Sequence, residues 1–81
     1  HDVCIRFSAN AAPYIDERTW HPEQVIEKHK DGALSLQFRT NHLHDVQNWV
    51  LSWGDQAKVL RPSILVDNVQ RMLEDALDQY R

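Results

Sequence analysis

The sequence predicts an α+β fold of the ferredoxin-like type, with elements in the order β-α-β-β-α-β and an additional C-terminal helix. Two stretches, residues 3–7 and 34–39, alternate apolar and polar side chains as half-buried strands do. Later stretches show the 3.6-residue periodicity of amphipathic helices. Two right-handed crossovers interleaved in one sheet then give an antiparallel sheet with strand order 4-1-3-2.

The polar residues of the strands share one face of this sheet. In VCIRF, Arg6 lies opposite the apolar positions, and in LSLQFRT, Gln37 and Arg39 do. The stretch QAKVL predicts a fourth strand in which Lys58 also points outward. The outward residues of these three strands are Cys4, Arg6, Ser35, Gln37, Arg39, Gln56 and Lys58. We expect this face to be open unless the last helix or a partner covers it.

A short helix, an edge strand and a tight turn complete the first half. SANAAPYIDERT predicts a helix that begins near Asn10, with Pro13 in its first turn, because proline cannot sit deep in a helix. EQVIEKHK predicts a second strand whose charged residues suit a sheet edge. Asp31 and Gly32 then predict the turn of a β-hairpin, since both residue types tolerate a positive φ.

The second half contains two longer helices. NHLHDVQNWVLSWG has helical periodicity and ends at Gly54, which suits a left-handed residue after a helix. Trp49 and Trp53 fall on its apolar stripe, so we interpret them as core residues and not as a platform for stacking bases. The last helix opens at residues 62–63 and carries apolar residues along one face: Leu65, Val69, Met72, Leu73, Ala76, Leu77 and Tyr80. It either docks on its own domain or contacts another protomer or domain.

Length, composition and charge restrict the class of protein. A chain of 81 residues indicates a single domain, which we expect to be a module of a longer protein. Its one cysteine, Cys4, cannot form an internal disulfide, and no apolar run approaches the roughly 20 residues that a membrane span needs. Both observations favour a cytoplasmic protein without a membrane partner. The net charge of −3 argues against bulk attraction to nucleic acid, although a local basic face is compatible with it.

The outward face allows two interpretations. Arg6 and Arg39, which we expect to lie side by side on neighbouring strands, suit a phosphate or carboxylate, because guanidinium groups bind such anions through two hydrogen bonds. A solvated face, or one paired with acidic residues of another domain, explains the same pattern. The candidate ligand-binding residues are Arg6, Arg39, Gln37 and Lys58. RNA-recognition modules stack bases on aromatic residues of such a face, and none is predicted here.

Catalytic, cofactor and metal sites have little support. His42 and His44 are two residues apart near a helix start, where they do not face one another as metal ligands would. Acylphosphatases share the predicted topology but hold their anion in a glycine-rich loop after the first strand, where SANAAP has no glycine. We therefore expect no enzymatic activity, no cofactor and no metal.

Four segments are distinctive when taken together: the strand IRF followed by Ser8, the TWHP of residues 19–22, the turn at residues 31–32, and WVLSWG leading into VLRP. With a closing helix that ends in Tyr80, they resemble the WYL C-terminal extension, or WCX domain, of bacterial WYL-domain transcriptional regulators. The resemblance covers nearly the whole chain. Pro13 departs from it by interrupting a helix, and Val66 by adding exposed apolar surface to the last helix.

The resemblance implies that a winged helix-turn-helix and a WYL core precede this domain in a dimeric protein. Core and extension together would sense a ligand, with nucleic acid or nucleotides among the effectors, and Arg6 would face it. The WVL of residues 49–51 is not the tripeptide that names the core, so DNA binding is not assigned to this segment. We therefore expect an effector-sensing and dimerisation module; the alternative is a purely structural module that contacts no ligand.

Overall fold

The computed structural model describes residues 1–81 and shows one four-stranded antiparallel sheet with helices on one face. The elements are β1 (Asp2–Phe7), α1 (Ala12–Asp16), β2 (Val25–Lys28), β3 (Leu34–Arg39), α2 (Leu43–Ser52), a 3-10 turn (Gly54–Gln56), β4 (Ala57–Arg61) and α3 (Ser63–Asp78). The strands lie in the order β2-β3-β1-β4, which is 4-1-3-2 when it is read from the opposite edge. All three strand pairs are antiparallel. The predicted antiparallel sheet and the additional C-terminal helix are therefore confirmed.

The two central strands supply the centre of the core. The inward residues of β1 and β3 are buried, as their alternation predicts: Val3, Ile5, Phe7, Leu34, Leu36 and Phe38. Ala12 and Ile15 of α1 join them, and so do Val46 and Val50 of α2. α3 adds Leu65 to the same cluster. The helices therefore pack on the inward face, and the outward face of the sheet, called the open face below, stays uncovered by them.

The hairpin between β2 and β3 differs from the predicted two-residue turn. Gly32 has a φ of +89°. Asp31 has a negative φ, since only glycines have a positive φ in this chain, and so it does not adopt the left-handed conformation that the predicted turn requires. The N–H of His29 donates to the carbonyl of Ala33 at 2.9 Å, which encloses a loop of residues 30–32. A three-residue hairpin loop of this kind needs a left-handed residue only at its end.

α1 begins, and α2 ends, close to the predicted residue. α1 starts at Ala12, two residues after the expected Asn10, because Ala11 and Ala12 first donate to the carbonyl of Ser8 in a separate turn. Pro13 occupies the first helical turn as predicted. Gly54 has a φ of +59° directly after α2, which confirms that it ends this helix.

α3 is docked on the domain only along its first half. Leu65 and Val69 are buried, and Val66 packs against the core. The expectation that Val66 adds exposed apolar surface is therefore wrong. The remaining apolar residues of the predicted stripe are exposed: Met72, Leu73, Ala76, Leu77 and Tyr80. The chain therefore leaves an apolar helix face without a partner. α3 is the longest helix, and none of the helices combines the length and apolarity needed to cross a membrane.

Candidate ligand-binding face

The strand register decides which cations are neighbours on the open face. Arg6 lies opposite Lys58 of β4 on one side and opposite Ser35 of β3 on the other. Arg39 lies opposite Asp2, four positions along β1 from Arg6, which corresponds to about 13 Å. The expectation that the two arginines lie side by side is therefore wrong. The cation nearest to Arg6 across the strands is Lys58.

A register shift in β4 adds a cation that the sequence pattern missed. Between Cys4 and Ile5 the pairing shifts, so that Arg61 lies opposite Cys4. The Nε of Arg61 then donates to Asp2 at 3.2 Å. Arg61 and Arg39 therefore both lie beside Asp2 at one end of the open face. Bulges of this kind re-aim side chains, and simple alternation through QAKVLR does not reveal them.

Carboxylates also reach the open face, although the outward residues predicted for its strands include none. Asp31 of the hairpin loop accepts a hydrogen bond from Arg6 at 2.7 Å, and Asp2 pairs with Arg61. Arg39 and Lys58 are exposed and belong to none of the ion pairs in the chain. The face is therefore mixed in charge, with two unpaired cations.

Asp31 is held in place by the hairpin as well as by Arg6. Its Oδ1 accepts the N–H of Ala33 at 3.0 Å, while its Oδ2 bonds to Arg6. The hydrogen bond from Ala33, and then the positive charges of Arg6 and His29, hold the pKa of Asp31 below its ordinary value of 3.8, although desolvation opposes them. The loop therefore holds Arg6 in an ion pair near one end of the central strand β1.

The pH dependence of stability tests this arrangement. Because folding lowers the pKa of Asp31, its stabilising contribution is present above 3.8 and is lost as the pH falls through the folded value. Asp31→Asn should therefore lower the free energy of unfolding at neutral pH, and the difference from the parent chain should shrink in acid. Urea denaturation at both pH values measures this. Asp67→Asn, at an exposed carboxylate in no ion pair, should show no such pH-dependent difference.

At the centre of the open face, the side chains are buried or half-buried and bond to one another. Ser35 is buried, and its Oγ shares a hydrogen bond of 2.8 Å with Nε2 of His29. Cys4 was expected to point outward and does lie on this face, but it is buried and its Sγ accepts a 3.8 Å contact from the amide of Gln37. Gln37, a predicted ligand residue, is therefore half-buried and bonded within the sheet. The carboxylate of Asp31 does not complete a Ser-His-Asp arrangement with Ser35 and His29, because its oxygens bond to Arg6 and to the N–H of Ala33.

Arg6 and Lys58 both line a small groove, so a ligand in it could contact both side chains. It has a volume of about 180 Å³ and is also lined by Ser8 and Gln56. Gln56 lies in the 3-10 turn, not in a strand as expected, and its Oε1 accepts from the hydroxyl of Ser8. Asp55 is the single acidic residue of the lining. Two cations and two neutral hydrogen-bonding side chains therefore converge on a space suited to a small anion.

A family comparison identifies the fold described above. The family model described as the WCX domain matches residues 1–77 of the chain. The chain belongs to the WCX domain family. No curated protein matches the sequence. Membership makes this WCX domain a regulator-associated C-terminal module and implies that it associates with a WYL domain.

The tryptophans of the WCX domain are packing residues, as predicted. Trp49 and Trp53 contact the buried ring of Phe7 in edge-on geometry, with ring centroids 5.5 and 5.7 Å away. Trp20 lies against Trp49 at 5.0 Å, and its Nε1 donates to the carbonyl of Ile15. These rings lie on the helix side of the sheet. They therefore take no part in the open face.

The histidines lie in different parts of the fold. His42 precedes α2 and His44 lies in its first turn, and no group of three His, Cys, Asp or Glu side chains converges in the chain. One ring nitrogen of each of two further histidines has a partner within the chain: the Nδ1 of His21 accepts the N–H of Glu23, and the Nε2 of His29 shares a hydrogen bond with Ser35. The ligand position that the strand register supports is the groove between Arg6 and Lys58.

Proposed function

We propose that this WCX domain is the C-terminal effector-sensing and dimerisation module of a bacterial transcriptional regulator. Its open face contributes to binding a phosphate-bearing ligand, such as single-stranded nucleic acid, together with an upstream WYL core. The role is one of binding and not of catalysis. The observation that carries the proposal is the groove between Arg6 and Lys58, in which both cations are opposed across neighbouring strands.

The charge pattern supports a local phosphate contact in an acidic chain. Lys58 and Arg39 have no carboxylate partner, and the Arg6–Asp31 pair is solvent-exposed. An exposed ion pair contributes about 0–1 kcal/mol, so a phosphate can replace Asp31 as the partner of Arg6 at little cost. Since Arg39 is about 13 Å from Arg6 along the strands, it would contact a different phosphate of an extended ligand.

Substitution of the opposed cations tests the proposal. In the full-length protein that carries this domain, Arg6→Ala and Lys58→Ala should each weaken binding of a single-stranded oligonucleotide about tenfold, because each removes a phosphate contact. Each should also reduce the salt dependence of binding by about 0.7 in the log–log slope. Fluorescence anisotropy over a series of salt concentrations measures both quantities.

The controls separate the open face from general charge. Arg71→Ala removes an exposed, unpaired arginine from α3 and should leave affinity and slope unchanged. Arg39→Ala should weaken binding of strands long enough to reach both ends of the face and spare shorter ones. Unchanged affinity in Arg6→Ala and Lys58→Ala would overturn the proposal.

The alternative function is purely structural, and one observation favours it. The second half of α3 exposes the apolar residues that continue its buried stripe, and exposed apolar patches mark contact surfaces. In this case the open face binds no ligand, and the domain joins the WYL core or a second protomer through α3. A dimerisation contact at α3 is compatible with either function.

A further inference from the structure

A second groove lies on the helix side of the sheet, where β3 ends and α2 begins. It has a volume of about 240 Å³, and its lining includes the rings of Trp20, Trp49 and Phe38. The two tryptophan rings are 5.0 Å apart and tilted by 45°, and the ring of His21 is stacked on Phe38 at 5.3 Å. The groove is therefore walled mainly by aromatic faces. It is separate from the open face and takes no part in the function proposed above.

The groove is lined by one carboxylate and by two histidines, His21 and His42. Asp45, in the first turn of α2, is its only carboxylate, and no lysine or arginine lines it. The Nδ1 of His21 accepts the N–H of Glu23 at 3.2 Å, so this nitrogen is engaged within the chain. The face of an aromatic ring attracts cations through its quadrupole, and a neighbouring carboxylate adds to this attraction. Aromatic faces beside Asp45 therefore favour an organic cation over an anion.

The size of the groove and a contact within the chain define the cation further. Pockets for small-molecule ligands usually enclose roughly 300–1,000 Å³, so a groove of about 240 Å³ suits a single side chain. The Cζ of Arg18, which lies outside the groove, is 5.8 Å from the ring centroid of Trp20. This contact shows that a guanidinium already rests on one of the rings. A planar guanidinium can stack on an aromatic face and bond a carboxylate at once, which an ammonium cannot do as well.

We propose that this groove binds one arginine side chain presented by a partner polypeptide. The guanidinium stacks on an exposed aromatic face of the groove and pairs with Asp45. The partner is thus a protein segment with an exposed arginine, and the groove acts as the anchor point for that residue.

Titration with a blocked amino acid tests the proposal on the 81-residue chain. Nα-acetyl-arginine methylamide should bind with a Kd of about 1 mM, a value reasonable for one side chain. The indole N–H signals of Trp20 and Trp49 should shift more than that of Trp53, which does not line the groove. The citrulline analogue has the same shape without the charge, and it should bind about tenfold more weakly.

Two variants locate the charge that matters. Asp45→Asn should weaken binding of the arginine probe about tenfold, because it removes a charge-assisted hydrogen bond. Asp75→Asn removes the same charge from the exposed part of α3 and should leave the Kd unchanged. Equal binding of the arginine and citrulline probes, equal effects of the two variants, or the absence of saturable shifts would each overturn the proposal. The comparison of the two probes needs no variant and so does not depend on how Asp45→Asn folds.

Discussion

Replacement of Phe7 by alanine is expected to lower the free energy of unfolding by about 3–5 kcal/mol, the usual cost of deleting a fully buried aromatic ring. Phe7 has no exposed surface, and its ring contacts both Trp49 and Trp53. Folded domains have only about 5–15 kcal/mol of stability, and a chain of 81 residues lies near the lower end. The variant should therefore be largely unfolded, or close to it, at room temperature.

Urea denaturation followed by far-UV circular dichroism measures this effect without depending on tryptophan emission. Ile5→Val is the matched control, since Ile5 is equally buried on the same strand and loses only one methylene. It should cost about 0.5–1.5 kcal/mol. A loss below about 1 kcal/mol in Phe7→Ala would mean that the rings around Phe7 do not form the core described above.

Local patterns were sufficient to predict most of the fold. Alternation in two short stretches assigned every inward residue of β1 and β3, and these residues are buried. Helical spacing placed Trp49 and Trp53 on the core side of α2, where both contact Phe7. Gly54 ended its helix as predicted. These features depend on residues close in sequence, or on the division between polar and apolar faces, and a single sequence contains both kinds of information.

The candidate site depended on information that alternation does not carry. Alternation assigns a side chain to a face, but only the register between strands decides its neighbours. Arg6 therefore lies opposite Lys58 and not beside Arg39, and a register shift brings Arg61 to Asp2 from 59 positions away. Contacts between residues so distant in sequence are set by the fold as a whole. The cations of the open face were predicted, but their pairing was not.

α3 shows the same limit in another form. Its apolar stripe was predicted correctly as a helix face, but the sequence did not show how much of that face its own domain covers. Of the apolar residues of α3, only Leu65, Val66 and Val69 belong to the buried core or pack against it. Beyond them the stripe continues to Leu77, which is 51% exposed, and Tyr80, which is 89% exposed, follows the end of the helix at Asp78. Coverage depends on the width of the sheet, and no periodicity within the helix encodes that width.

The double substitution Leu77→Gln with Tyr80→Gln is expected to weaken self-association of the full-length protein at least about thirtyfold, the effect of losing one well-buried contact residue at an interface. Neither side chain belongs to the core, so the free energy of unfolding should change by no more than about 0.5 kcal/mol. Sedimentation equilibrium measures the association, and urea denaturation measures the stability.

The control is the double variant Arg71→Gln with Asp75→Gln, which alters two exposed residues of the same helix. Successive α-helical residues are about 100° apart, so these two residues lie on the side of α3 away from Leu77. The control also leaves net charge unchanged, because it removes one charge of each sign.

If both double variants associate equally well, the apolar stripe is not the contact surface. If Leu77→Gln with Tyr80→Gln loses association and oligonucleotide binding together, whereas Lys58→Ala loses only binding, the ligand position on the open face depends on a dimer assembled through α3. Loss of association with binding unchanged would instead place the two functions on independent surfaces of the WCX domain.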